Sequence, residues 1–470
     1  MYLSDIQAHI YYISFNGYGK CGDLMETAAK INSFINGIVW GPFMLCFLLG
    51  VGVFFTFKLK FFQLVHFKIW WKETAMSLFK KNDKKQTAGK ISSFQAMATA
   101  LAGAIGTGNI VGVAGAISLG GAGSIFWMWI ASFFGMATIF AENVLGIKYR
   151  TRKNGKFVGG PMYYIEKGMH CKWLAVIFAV LCTFAALGMG NMTQANSIAG
   201  AVENGFNISP HISGIILSVL VCIIIFGGIG RIASITEKLV PVMAVVYTLA
   251  AVIVITVNYK NIPSAFQKIF VQAFDINSAA GGFMGYGMAR ALKYGISRGV
   301  FSNEAGLGSS PIVHAAADTD DPSKQGMWGI FQVFVDTIVL CTLMALCILT
   351  TDSEKTGLDG IHLSTASFEA VLGSAGTYFM TVSIILFAFA TLVSWSYYGE
   401  RSLEYLTGKK FIVFYRILYA LITYVGCIMG ISLVWEISDT LNGLMAIPNL
   451  IALLFLSRDI NYEEIHLKCS

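Results

Sequence analysis

Residues 101–123 read LAGAIGTGNIVGVAGAISLGGAG. Eight of them are glycine (103, 106, 108, 112, 115, 120, 121 and 123) within an otherwise apolar run. Glycine is a poor helix former that permits close backbone approach or local unwinding. Small residues four apart, such as Gly108 and Gly112, suit helix packing in lipid. Packing leaves Thr107 and Asn109 unexplained, because polar side chains at membrane depth take a partner or a function. The run therefore predicts a spanning helix broken near its middle. Gly106-x-Gly108 with Gly112 also resembles part of a dinucleotide loop, but no strand precedes it and no acidic residue follows at the required distance.

Residues 281–317, GGFMGYGMARALKYGISRGVFSNEAGLGSSPIVHAAA, form a second such stretch, with eight more glycines (281, 282, 285, 287, 295, 299, 306 and 308). It also carries Arg290, Lys293, Arg298, Asn303 and Glu304. Charges of both signs in an apolar stretch predict a helix lining an aqueous path. The competing reading is an internal ion pair, such as Arg298 with Glu304.

Composition frames both stretches. Of 470 residues, 56% are hydrophobic and only 13% charged, against roughly 25% charged in an average soluble domain. This excludes a disordered chain, a disulfide-rich secreted scaffold and a soluble multidomain enzyme. Eleven apolar segments are expected, near 35–57, 93–119, 124–147, 173–200, 212–228, 239–257, 281–317, 327–350, 376–398, 411–430 and 437–456. Each is long enough for a transmembrane helix, so the fold class is all-α and polytopic. The nine cysteines follow no metal spacing, and no disulfide is assigned. Residues 1–30 lack the pattern of a cleaved signal.

Loop charge predicts orientation. If 58–92 is cytoplasmic, that side carries 25 of the 33 Lys and Arg and the opposite side five, the other three lying in the seventh segment. The N-terminus is then outside and the C-terminus cytoplasmic. The basic cluster Lys80–Lys85 reads as a contact with anionic headgroups, not nucleic acid.

Setting the first span aside, five spans occupy 91–257 and five occupy 281–456, each half opening on a glycine-broken segment. Five is odd, so the second half is inverted in the membrane. Paired broken helices in inverted repeats mark a secondary transporter. The chain divides into 1–90 (first helix and basic loop), 91–257, a connection at 258–280, 281–456 and a tail at 457–470. No phosphate-binding G-x-x-x-x-G-K-[ST] loop is present.

Several motifs then carry a family resemblance: Thr99–Val113 (TALAGAIGTGNIVGV), Gly159–Gly168 (GGPMYYIEKG), Gly188–Ser197 (GMGNMTQANS), Arg298–Ser310 (RGVFSNEAGLGSS) with His314–Ala317, and Trp395–Leu406 (WSYYGERSLEYL). The chain resembles the prokaryotic alanine or glycine:cation symporters. The resemblance implies a LeuT-type fold of five plus five inverted helices, with one extra N-terminal helix, in a plasma (inner) membrane. It implies import of alanine, glycine or a similarly small amino acid with sodium, and no other cofactor.

It also implies residue roles. Thr107 and Gly108 would hold the substrate carboxylate with freed backbone N–H groups, as unpaired helix-end donors suit anions. Asn109 and carbonyls near Ala104 would ligate one sodium ion, a hard cation that prefers oxygen. Carbonyls near Ala102, Ile105 and Phe387 and the Thr391 hydroxyl would ligate a second. The family usually has a hydroxyl where this chain has Ala390, which leaves Ser394 to complete that site. Trp395, four residues after Thr391, and Phe301 would close the substrate cavity from opposite sides, with Thr391 bordering it. The competing reading for Trp395 is an interfacial anchor. Asn191 and Gln194 would hold the amine or bond neighbouring helices. Of Ser302, Asn303 and Glu304, one or two would touch substrate or ion.

Glu142 and Asp336 read as structural polar contacts, and Gly159–Gly168 as a loop fixed by turns. Proton coupling through Glu304 or His314 is the alternative within this fold. A channel would not need paired breaks, and no clustered nucleophile–base or metal set suggests an enzyme.

Overall fold

The computed structural model describes residues 19–79, 91–153, 155–274, 286–429 and 431–460. Gly281, Gly282, Gly285, the Lys80–Lys85 cluster and most of the 457–470 tail lie outside the described residues.

Every predicted apolar segment is occupied by helix. In chain order these are α1 (Gly19–Val39), α2 (Pro42–Lys58), α3 (Ser93–Ala104), α4 (Val113–Gly120) and α5 (Gly123–Lys148). A hairpin follows, β1 (Thr151–Lys153) antiparallel to β2 (Lys156–Val158). Then come α6 (Pro161–Gly168), α7 (Lys172–Leu187), α8 (Thr193–Phe206), α9 (Pro210–Ile225), α10 (Gly228–Val257) and α11 (Ile262–Ala273). The remainder comprises α12 (Tyr286–Asn303), α13 (Ser310–His314), α14 (Pro322–Val333), α15 (Thr342–Thr350), α16 (Gly360–Leu372), α17 (Ser374–Thr407), α18 (Ile412–Ile428) and α19 (Ile431–Phe455). Among the described residues, seven helical stretches are long and apolar enough to cross a membrane, and α3 with α4 makes an eighth, bent by 49°.

The burial pattern is that of a protein in lipid. On α9, Ile212, Ile215, Ile216, Val219 and Ile223 all face outward, as do Val242, Val245, Val246 and Leu249 on α10. These are helical-period stripes, directed away from the protein. The interior holds polar groups among its apolar ones: Thr107, Asn109, Glu142, Asn303, Glu304, His314 and Asp336 are fully buried.

Local chemistry explains the first break. A reciprocal capping box starts α3: Ser92 Oγ accepts from Gln95 N, and Gln95 Oε1 accepts from Ser92 N. At the other end Gly106 N donates to Asn109 Oδ1 (3.2 Å) and Thr107 N reaches Gln194 Oε1 (3.4 Å). In a continuous helix those two donors would serve the carbonyls of Ala102 and Gly103. The chain then passes through a wide π turn, Gly108–Gly112, before α4 resumes.

The second stretch breaks after Asn303. Glu304 takes a left-handed backbone (φ 61°), as do Gly306 (φ 90°) and Gly308 (φ 82°), before α13 begins at Ser310. Glycine carries no penalty there. Asn303 Oδ1 caps the turn by accepting from Ala305 N (3.0 Å).

Arg298 forms an internal ion pair, as in the competing reading, but with Asp439 of α19 (3.4 Å) and not with Glu304. One sequence expectation is corrected. The Gly159–Gly168 motif is not a turn-fixed loop. After Gly160 (φ 116°) it forms helix α6, with Pro161 as its first residue, and Pro161 to Ile165 are buried. Proline at the first helical position costs no hydrogen bond. Gly159 and Gly160 bring the chain so close to α13 that a Cβ there would lie 2.6 Å from Ala315 Cβ and 2.7 Å from Ile312 Cγ1.

Candidate functional site

Three π turns lie in the interior: Gly108–Gly112, Gly188–Met192 and Phe334–Cys341. Their buried polar side chains are Asn109 in the first, Asn191 in the second, and Asp336 with Thr337 in the third. Such wide turns are frequent at functional sites.

Asn109 and Asp336 meet. Asn109 Nδ2 donates to Asp336 Oδ1 (2.8 Å) and to its carbonyl (3.0 Å). The other carboxylate oxygen accepts from Ser302 Oγ (2.8 Å) and Thr337 Oγ1 (2.7 Å). Asp336 thus joins both breaks, Asn109 from the first and Ser302 from the second. Among the described residues no cation hydrogen-bonds to it. Asp336, which reads from sequence as a structural polar contact, bonds to residues of both breaks. The only local signal was one acid in the apolar segment 327–350. Phe301 and Ser302 pack onto Gly108, where a Cβ would lie 3.4 Å from Phe301 Cδ1 and 3.3 Å from Ser302 Cα. Ala104 is buried at the end of α3, beside this cluster.

A second group of oxygens converges where α17 meets the end of α3. Thr391 Oγ1 lies 3.0 Å from Ala102 O, 3.2 Å from Ile105 O and 3.2 Å from Phe387 O. These are the four residues that the resemblance placed around one ion. A hydroxyl has one proton and can satisfy one acceptor. Oxygen atoms are the ligands that a hard cation prefers. Ala390 is buried without a hydroxyl, and Ser394 Oγ is buried without a hydrogen bond. Gly106 adjoins the group: a Cβ there would lie 2.4 Å from Thr391 Oγ1 and 3.2 Å from Gln194 Oε1. Gly106→Ala is therefore expected to remove sodium-driven uptake at normal protein abundance. Uptake in membrane vesicles, normalised to immunoblotted protein, checks this.

The remaining candidates separate. Trp395 is fully buried, which excludes an interfacial anchor. Its indole N–H donates to Glu304 Oε1 (2.8 Å), while Ser309 Oγ donates to Glu304 Oε2 (2.5 Å). Trp395 is pressed against Gly190, where a Cβ would come within 2.3 Å of Trp395 Cβ. Phe301 packs on Gly108, so the two aromatics attach to different parts of the paired breaks. Gln194 faces the first break through Thr107 N, and Thr107 Oγ1 is buried without a partner. Asn191 donates to Tyr419 O (2.7 Å), a helix-to-helix bond. Asn303 donates to Ser132 Oγ (3.2 Å) and Thr337 Oγ1 (3.3 Å). His314 is held by two amides, Gln325 Nε2 at Nδ1 (2.8 Å) and Gln332 Oε1 at Nε2 (3.4 Å). Glu142 Oε1 accepts from Gly308 N (3.1 Å) and Asn449 Nδ2 (2.5 Å), which ties it to the second break.

Residues 25–465 match the sodium:alanine symporter family. A sodium/alanine symporter of Methanococcus maripaludis, AgcS, is 47% identical over 92% of this chain and 95% of its own length. A probable sodium/glutamine symporter of Bacillus subtilis, GlnT, is 40% identical over 93% and 90%. The fold resembles that of MhsT, solved in complex with L-phenylalanine, with a TM-score of 0.60 at 12% identity over 82% of this chain and 93% of that one. The chain belongs to the sodium:alanine symporter family and has the LeuT-type fold. It is a multi-pass membrane transporter of a sodium-coupled amino-acid family, and it is not an enzyme.

Proposed function

We propose that this protein imports alanine, glycine or a similarly small amino acid by symport with sodium, with alternating access around the two broken helices. The observation that carries the reading is the Thr391 hydroxyl set among the carbonyls of Ala102, Ile105 and Phe387. That oxygen cage joins the first broken helix to α17. An ion there favours the arrangement in which the two are docked.

One sodium ion takes this cage, with Ser394 able to supply the hydroxyl absent at Ala390. A second takes Asn109, Asp336, Ser302 and the Ala104 carbonyl, with Asp336 providing the compensating charge. The substrate carboxylate lies on the N–H groups of Thr107 and Gly108. Gln194 then gives up Thr107 N and turns to the substrate amine. Phe301 and Trp395 limit the side chain to about a methyl group.

The eleven helical segments are eleven crossings: one extra N-terminal span, then five plus five inverted at 91–257 and 281–456, joined by 258–280. The excess of basic residues on the side of 58–92 puts the N-terminus outside and the C-terminus inside a prokaryotic plasma membrane.

Uptake of labelled alanine into proteoliposomes tests the reading. An inward sodium gradient is expected to drive accumulation, and unlabelled alanine and glycine to compete better than glutamine or phenylalanine. Equal uptake with and without the gradient defeats sodium coupling. Accumulation driven by a pH gradient without sodium defeats it in favour of proton coupling through Glu304 or His314.

A further inference from the structure

Arg150 lies just past the end of α5, and the functional reading gives it no role. Its side chain is only 8% exposed. One terminal nitrogen donates to Ala315 O (3.3 Å) and Ala317 O (2.7 Å), the other to Thr319 O (2.6 Å) and Asp320 Oδ1 (3.1 Å). The guanidinium also lies 3.6 Å from the ring centroid of Phe157 on β2. A planar fork of donors suits this task, and a lysine ammonium does not match it. Asp320 is fully exposed, so that ion pair is screened and contributes little. The three carbonyl bonds are the substance of the contact.

Those carbonyls belong to the segment just beyond α13, where a helix end leaves its last C=O groups without partners. Arg150 bonds three of the carbonyls in 315–319 and so ties together a run of turns, in which Thr319 N also donates to Ala317 O (3.0 Å). The other edge of this segment receives the start of the first broken helix. Ile91 forms a parallel bridge with Ala317, and Asp318 N donates to Ile91 O (2.9 Å). The ends of both broken helices therefore meet in one short backbone pairing, and Arg150 braces it from behind.

A cleft adjoins this pairing, lined by Lys156 of the hairpin, Glu400 and Arg401 of α17, and Ile91 and Ala316 among others. The Ala102 carbonyl of the oxygen cage is 11 residues further along from Ile91, roughly 16 Å at the helical rise. Parting Ile91 from Ala317 would free the start of the helix that carries Ala102, beside this cleft.

We propose that Arg150 is the positioning residue of the exit gate. It holds 315–319 in the form that receives Ile91, and so sets how readily the first broken helix swings away to release ion and substrate. The direction named as exit rests on the orientation proposed above; the gate itself does not.

Hydrogen–deuterium exchange of the purified full-length protein reads the gate at its own bond. In Arg150→Ala the amides of 315–319, Asp318 above all, are expected to exchange about tenfold faster, the ratio expected from losing one hydrogen bond to a charged donor. Peptides from α10 and α17 should keep the wild-type rate. Sodium with alanine should slow Asp318 exchange in the wild type and much less in Arg150→Ala. Arg150→Lys should fall between, because one ammonium cannot span three carbonyls.

Unchanged exchange at 315–319 in Arg150→Ala overturns the proposal. Acceleration spread equally over α10 and α17 also overturns it, because Arg150 would then be a general stabiliser. If sodium and alanine alter exchange in neither protein but the local acceleration remains, the gate stands and the symport reading fails.

Discussion

Asp336→Ala is expected to abolish sodium-driven amino-acid uptake. The variant strips a buried carboxylate from Asn109, Ser302 and Thr337 together. It leaves three buried donors facing each other, at about 1–3 kcal/mol for each left unsatisfied. It also removes the one acidic side chain that, among the described residues, hydrogen-bonds to both Asn109 and Ser302. Loss of a charged ligand is expected to raise the sodium concentration for half-maximal uptake by at least about 100-fold, near 3 kcal/mol. Asp336→Asn separates charge from packing. It keeps the shape and part of the hydrogen bonding, so it should fold, yet retain the sodium defect. Sodium titrations of uptake, normalised to protein in the vesicles, check both variants. Wild-type sodium dependence in Asp336→Asn would place Asp336 outside the ion site.

Thr391→Val carries the second large effect. It replaces the hydroxyl by a methyl of similar volume and leaves the carbonyls of Ala102, Ile105 and Phe387 around an apolar group. An ion at the cage then loses one of its four oxygens. The expected result is a rise of about 10- to 100-fold in half-saturating sodium, 1.4–2.8 kcal/mol. At saturating sodium, alanine affinity should stay near wild type. Thr391→Ser restores the hydroxyl and should restore sodium dependence. A valine variant that transports like wild type, at wild-type sodium, would show that the cage holds no ion.

The parts of the site differ in how far they could be read from sequence, for physical reasons. The two breaks are local features. Glycines beside Thr107 and Asn109 in one segment, and beside Asn303 and Glu304 in the other, are enough to locate them. The grouping of Ala102, Ile105, Phe387 and Thr391 came from the resemblance, since only the first two lie in a quoted motif, and the fold brings the four together. Asp336 could not be anticipated. Its meaning depends on Asn109, 227 residues away, and Ser302, 34 residues away. A single acid in an apolar helix looks the same whether it serves a packing contact or a charge site. For Arg298 the local sequence offers Glu304 as an example of an internal partner, whereas the fold supplies Asp439 from α19. The Gly159–Gly168 motif misled in the opposite direction. Its glycines and proline have the local chemistry of turns, but their use is to let α6 lie against α13. Tyr164 then donates to Asn449, which in turn donates to Glu142 and to Gly306 O. The motif thereby supports the second break from below, a role that exists only in three dimensions.

Both ions and the substrate are assigned to the same first break, so their affinities must be linked, each raising the other by the same factor. Calorimetric titration of the purified protein measures this directly, with alanine at several sodium concentrations and sodium at several alanine concentrations. The account predicts that alanine affinity rises with sodium and that saturating alanine raises sodium affinity by the matching factor. Alanine binding with the same affinity in sodium and in a sodium-free potassium buffer would contradict it.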